Sequence, residues 1–171
     1  MNTYDVAVIG AGATGASIAW QLLHYNLKVA LLDRCADASF GVSKANSGIV
    51  HGGFHHSADS TLKAKLELEG NPMFDDLQKE LDFEFVRCGI LVVAYSDEEL
   101  PQLQKLYERG VGNKVPGIEM CDRKRLLELE PKLTDAAVAG FFVPQGGVIE
   151  PYGYVFALVE SAELNGVEFW R

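Results

Sequence analysis

The sequence predicts an α/β fold built around a parallel sheet with a dinucleotide-binding turn, and three observations predict it. An apolar run, Tyr4-Asp5-Val6-Ala7-Val8-Ile9, has the character of a strand buried on both faces. It leads into Gly10-Ala11-Gly12-Ala13-Thr14-Gly15, after which Ala16, Ala19, Leu22 and Leu23 recur at helical spacing. A second strand, Lys28 to Leu32, ends on Asp33, 18 residues after Gly15. That is close to the offset of about 20 expected for a carboxylate that accepts from ribose hydroxyls.

Each glycine of the turn has its own steric task. Gly10 permits the tight exit from the strand, and Gly12 removes a Cβ where backbone would approach a pyrophosphate. Gly15 lets the helix pack close on the sheet. Ala13 and Thr14 open the helix, whose unpaired N–H groups and positive dipole end point at the phosphates. His24 closes it, where a cation suits the dipole. A bare run of glycines at this spacing is a weak signal. Strand, glycines, helix, strand and terminal acid together are a strong one.

From Cys35 to Ser60 the chain is polar and rich in small residues, and reads as a long loop without regular structure. Loops of that length in a compact domain are usually functional or disordered. Ser43, Asn46, Ser47 and Gly48 offer hydrogen bonds and close backbone approach, and His51, Gly52, Gly53, His55 and His56 follow. Leu62 to Leu81 reads as helix interrupted at Gly70-Asn71-Pro72. Phe83 to Tyr95 reads as a strand, or a hairpin around Cys88-Gly89. Ser96, with Glu99 three residues on, starts a helix that stops near Gly110-Val111-Gly112. A short apolar piece, Ile118 to Cys121, precedes a small helix from Asp122 to Glu130 halted by Pro131. Val138 to Val143 is a strand, Pro144-Gln145-Gly146-Gly147 a turn, and Val148-Ile149-Glu150 a return strand. Tyr152 to Asn165 is a helix with Val155, Leu158, Val159 and Ala162 on one face. Val167 to Trp170 begins another strand, so the chain reads as the front portion of something larger.

Composition sets bounds. With 171 residues, 48% hydrophobic and 23% charged, the chain can bury a core of ordinary size. A net charge of −9 without a basic cluster argues against nucleic acid as a partner. No apolar run approaches the roughly 18 residues of a membrane span, and no charged-then-apolar leader precedes the first strand. A cytoplasmic location is the expectation. Cys35, Cys88 and Cys121 show no metal-ligand spacing and read as reduced thiols, so no metal is expected. Glu67, Glu69, Asp75, Asp76 and Glu80 read as a helix face in water, and Phe83, Phe85, Phe141 and Phe142 as core.

Gly10 to Gly15 with Asp33-Arg34, followed by Ser43-Lys-Ala-Asn-Ser-Gly-Ile-Val-His-Gly-Gly53, resembles the glutathione-reductase-like FAD oxidoreductases. Within them the chain is most similar to the D-amino-acid-oxidase-type superfamily, in the branch of FAD-dependent glycerol-3-phosphate dehydrogenases. Leu62-Lys-Ala-Lys65, Glu69-Gly-Asn71, Gly89 to Ala94, Leu129-Glu-Pro131 and Gly147-Val-Ile-Glu-Pro151-Tyr152 extend the likeness over nearly the whole chain. L-2-hydroxyglutarate dehydrogenases share many of these landmarks.

The resemblance implies a Rossmann-like FAD-binding domain, residues 1–60 and 151–171, with the beginning of an inserted α+β substrate or cap domain, residues 61–150. The fold would be incomplete as it stands. Gly10, Gly12, Ala13, Thr14 and Gly15 would lie under the FAD pyrophosphate, Asp33 on the adenosine ribose and Arg34 beside it. Ser43, Asn46, Ser47 and Gly48 would wrap the pyrophosphate and ribityl region, and His51 and Gly52 would approach the isoalloxazine. His51 reads first as a flavin neighbour and next as the candidate catalytic base, with a covalent link or a hydrogen-bonded loop histidine as its other readings. Glycerol-3-phosphate enzymes commonly carry an arginine shortly after the His-x-Gly element, where this chain has His55 and then His56. His55 is therefore the candidate substrate contact, and a neutral imidazole is a poor phosphate clamp. Either another cation supplies the grip, or the substrate is not a phosphate ester. The competing expectations are a non-catalytic remnant or one subunit of a split flavoenzyme, and a nicotinamide-dependent dehydrogenase. Missing strands would leave apolar surface that favours self-association.

Overall fold

The computed structural model describes residues 3–59 and 61–171. The apolar runs at the front become β1 (Val6–Ile9) and β2 (Val29–Leu32), joined by α1 (Ala13–Gln21) and one turn of 3-10 helix, Leu22–His24. β3 (Ile49–Val50), α2 (Leu62–Gly70), α3 (Phe74–Glu80), β4 (Phe85–Val86) and β5 (Ile90–Ala94) follow. Then come α4 (Leu100–Gly112), β6 (Glu119–Asp122), α5 (Arg123–Leu129), β7 (Ala139–Val143), β8 (Gly147–Ile149), α6 (Pro151–Leu164) and β9 (Glu168–Trp170). Among the described residues no helix is long and apolar enough to cross a membrane.

The chain divides into two units. The first holds the described residues up to Gly48, with Asp76–Phe85 and Ile149–Arg171; the second holds Ile49–Asp75 and Val86–Val148. Two boundaries therefore differ from the expected partition at 60 and 150. Residues from Ile49 on go to the second unit, and the end of the predicted helix returns to the first because Leu77 and Leu81 pack into its core.

In the first unit a parallel sheet runs β1-β2-β9, with Val8 opposite Leu31 and Leu31 opposite Phe169. β2 is central, and Val29, Ala30 and Leu31 are buried. Val155, Leu158, Val159 and Ala162 of α6 join Ala16 and Ala19 of α1 in the same core. Each large side chain so buried contributes about 1.5–3 kcal/mol. α6 ends on Gly166 at φ +102°, with Val167 N–H bonded to Ala162 O at 3.0 Å and Gly166 N–H to Glu163 O at 3.1 Å. This left-handed cap turns the chain back into β9. The expectation that β1 is buried on both faces fails. β1 is the outer strand, and Ile9 stays 88% exposed.

The second unit is built on an antiparallel sheet of order β5-β7-β6. Successive β7 residues face opposite sides. Phe141 and Val143 join Phe54, Leu103 and Val115, while Phe142 packs with Cys121, Leu126 and Ala137. The hairpin alternative around Cys88-Gly89 does not form, and the return strand after Gly146 does not pair with β7. β4 joins the sheet containing β3 and β8, whereas β5 pairs with β7 from Ile90↔Val143 to Ala94↔Ala139. At Gly89 (φ +78°) the Phe142 ring occupies the space a Cβ would need, and the chain turns away there. Likewise β8 leaves β7 and pairs antiparallel with β3. The predicted unstructured loop contains a 3-10 turn, Val42–Lys44, as well as β3. Ser96 makes no side-chain cap. Glu99 alone reaches back, its Oε2 accepting Tyr95 N–H at 2.7 Å.

Candidate functional site

The glycine turn of the first unit is open and tightly determined. Gly10 sits at φ +102°, a conformation that favours glycine. A Cβ on Gly15 would stand 1.8 Å from Gly10 O, so α1 meets the strand exit with no room for a side chain. A Cβ on Gly12 would reach only Ser43 Oγ, at 3.0 Å. Helix openings leave their first amides without intrahelical partners. Here Ala13 N–H donates to Ser43 Oγ at 2.9 Å, and α1 carries no acidic residue in its first turn. Its positive end is therefore left for an external anion. A cavity of about 580 Å³ opens here, lined by Val8, Gly10, Gly12, Ala13, Gly15 and Ser43 among others. Thr14 is exposed at its rim.

Asp33 and Arg34 line a neighbouring crevice of about 420 Å³ with Ile9, Gly10 and Leu32. Asp33 Oδ2 accepts Ala11 N–H at 2.7 Å and Oδ1 accepts Cys35 N–H at 2.9 Å. These backbone donors, Cys35 first, hold its carboxyl below the usual carboxylate range. Each oxygen keeps lone-pair capacity for a further donor. Asn46 is a staple of its own loop, its Nδ2 donating to Val42 O and Ser43 O and its Oδ1 accepting Gly48 N–H at 2.9 Å. Ser47 is exposed, and Gly48 is buried at φ +66°, where a Cβ would strike Ile149 O. This set of small residues, a helix opening without acidic side chains and a carboxylate at the strand end fits a dinucleotide.

His51, Gly52 and His55 lie in the second unit. Gly52 is packed against Val143, whose Cγ1 would be 2.3 Å from a Cβ. The His51 carbonyl accepts Asn71 Nδ2 at 2.8 Å, and Asn71, 6% exposed, also donates to Gln145 O. Arg87 stands behind it, donating to Asn71 Oδ1 at 3.0 Å and to Gln145 O, and pairing bidentately with Asp75. Asn113 Nδ2 holds the carbonyls of Gly53 and His56, its Oδ1 accepts Ala58 N–H, and Arg109 donates to the His55 carbonyl. The loop is thus clamped through its backbone. His51 and His55 meet edge to face at 4.8 Å, and His55 stacks on Phe54 at 4.1 Å. Burial, with His51 next, holds the His55 imidazole below its ordinary value against the pull of Glu67.

Sequence reasoning missed Ser39, Asn113, Arg87 and Arg109, because the clamps join residues 12 to 60 positions apart in sequence. Ser39 is buried in the left-handed region at φ +65° with its Oγ unpartnered, and its N–H bonds to Ala11 O. Glu67 is a correction. It was expected in water, yet its side chain is only 16% exposed and its Oε2 is buried without a partner.

A family model described as DAO, FAD dependent oxidoreductase, matches residues 5–171. A glycerol 3-phosphate dehydrogenase from Caloramator mitchellensis is 42% identical over 167 residues, 98% of this chain and 35% of that protein. A mitochondrial L-2-hydroxyglutarate dehydrogenase from Dictyostelium discoideum is 35% identical over 150 residues, 86% of this chain and 33% of that protein. The solved structure of dithionite-reduced L-α-glycerophosphate oxidase from Mycoplasma pneumoniae with FAD bound aligns with a TM-score of 0.91 at 30% identity, covering 99% of this chain and 44% of that one. The chain therefore spans less than half the length of these relatives.

Proposed function

This chain belongs to the FAD dependent oxidoreductase family, and from that premise we propose that it binds FAD and serves the oxidation of a secondary alcohol in a small hydroxy compound, glycerol 3-phosphate foremost. The observation that carries the reading is the glycine cradle: Gly10 at positive φ, Gly15 without space for a side chain, Gly12 facing only the Ser43 hydroxyl, and Asp33 at the adjoining strand end. Backbone amides of the turn at Gly12, Thr14 and Gly15 would hold the diphosphate, with Asp33 on the ribose and Arg34 beside it. Ser43, which already braces α1, would line the pyrophosphate, and the loop pinned by Asn46 would bring Ser47 and Gly48 toward it. His51 and Gly52 would adjoin the isoalloxazine. The bound flavin supplies the hydride acceptor. This chain's part is to orient the alcohol and receive its proton, for which the His51 imidazole is the candidate acceptor. His55 would contact the substrate.

L-2-hydroxyglutarate is the second substrate reading, favoured by His55 standing where a phosphate-gripping arginine is expected and by the similarity to the Dictyostelium enzyme. Because the relatives run well beyond the matched region, turnover is expected to need segments of the kind they carry, on this protein or on a partner chain. The test is an absorbance spectrum of the 171-residue protein with and without added FAD, followed by gel filtration. Weakly retained flavin with a perturbed spectrum is expected. Protection by NADH but not FAD in a thermal melt would overturn the flavin reading.

A further inference from the structure

Asn71 follows α2 directly, and its backbone N–H donates to Glu67 O, so the helix end fixes its main chain. The residue is buried, and its side-chain amide has no hydrogen to spare. Both Nδ2 hydrogens go to carbonyls distant in sequence, His51 O and Gln145 O, each at 2.8 Å. Oδ1 accepts from Arg87 Nη1 at 3.0 Å. Turning the amide over would set its oxygen against both carbonyls, so one orientation alone fits. Arg87 is fixed in turn. It donates to Gln145 O and, at 3.3 Å, to Asn71 O, and pairs bidentately with Asp75. Only the planar fork of a guanidinium can make this set of bonds at once.

What these groups act on is the peptide between His51 and Gly52. Before it, Val50 is paired with Gly147 in the β3–β8 ladder. After it come Gly52 and Gly53, the latter at φ +83°, and glycine backbone has many conformations open to it. A peptide is planar, so holding the His51 carbonyl fixes ψ of His51. With Val50 in the ladder, the backbone is then set on both sides of the His51 Cα, and with it the direction of the side chain. We propose that Asn71, anchored by Arg87 and Asp75, is a positioning residue that sets the His51 imidazole for proton transfer. The proposal rests on the reading of His51 as flavin neighbour and candidate proton acceptor. Reacting groups tolerate little displacement, so a loosened ψ at His51 would harm the chemistry before it harmed the fold. Gln145 O has Arg87 as a second donor, so removing the Asn71 amide falls chiefly on the His51 carbonyl.

The experiment follows the imidazole signals of the 4 histidines by NMR in the 171-residue protein, with His51 assigned from a His51→Gln variant. Wild type, Asn71→Ala and Arg87→Lys are compared. Asn71→Ala removes both donors without adding a charge. It is expected to shift and split or broaden the His51 signals, while His24 of the first unit and His56, whose carbonyl Asn113 holds, stay as in wild type. Arg87→Lys keeps the charge but not the fork, and should disturb His51 in the same direction by less. His51 signals unchanged in Asn71→Ala would overturn the proposal, as would an equal disturbance of His56, which would mean general loosening. If Asn71→Ala does not fold, Arg87→Lys carries the test, and an unmoved His51 there overturns it. With FAD added, the perturbation of the flavin absorbance should be lost in Asn71→Ala, and identical spectra at equal occupancy would also overturn it. A wild type that takes up no FAD would count against the flavin reading alone, because the flavin-free ring signals still show whether Asn71 holds His51.

Discussion

Asp33 has two tasks that pH can separate. Its oxygens accept Ala11 and Cys35 N–H groups, tying the glycine turn to the end of β2. Those bonds favour the ionised form, so its folded pKa lies below the ordinary 3.8. A depressed carboxylate pKa gives stability that is fully present above the unfolded value and lost as pH falls through the folded one. Asp33→Ala should therefore cost about 1–2 kcal/mol at pH 7, two charge-assisted bonds at a partly solvated position. The gap from wild type should close below the ordinary carboxylate range. Urea titrations at pH 7 and pH 3 measure it, and an equal gap at both would show that the two N–H bonds do not depend on the charge. Flavin uptake at pH 7 should fall in the same variant.

At the scale of elements, Gly12 and Gly15 should respond differently to the same added methyl. Gly15→Ala drives a Cβ into Gly10 O, backbone that cannot rotate away, and should destabilise by about 3 kcal/mol or more. Gly12→Ala meets only Ser43 Oγ, a rotatable hydroxyl, and should fold within about 1 kcal/mol of wild type while losing flavin affinity. Thermal melts with flavin titrations check the pair, and a Gly12→Ala protein that binds FAD normally would remove the diphosphate from that turn. The contrast also marks what could be read before folding. The turn, Asp33, α6 and β9 were legible because their signals are local: spacing, a cap, an apolar face. The partners of β4, β5, β7 and β8 were not, because nothing near Gly89 or Gly146 says that the chain changes sheet there. The clamps on the His51 loop were hidden for the same reason. Asn113 and Arg109 lie on or just past α4 and act on carbonyls more than fifty residues earlier. Glu67 was misread because charge on a helix is usually solvated, whereas its side chain is only 16% exposed.

At the scale of the whole molecule, β1 is where self-association is expected. Among the described residues no strand pairs with its edge opposite β2, and Ala7 and Ile9 are exposed on one face of the same strand. An open apolar strand edge is a template for another chain, and natural edges are blunted by charge, especially lysine. None of the four β1 residues is charged. The net charge of −9 opposes association over long range, but salt near 0.15 M screens it beyond about 8 Å, leaving the edge contact to dominate at close approach. Self-association at tens of micromolar is therefore expected, strengthening as salt rises. Ala7→Lys places a cation on this edge strand, so it should return the protein to monomer with its thermal midpoint unchanged. Sedimentation velocity across concentration and salt measures both. If the wild type stays monomeric throughout, the β1 edge is not adhesive, and the apolar residues along it have to be explained by something other than a missing neighbour.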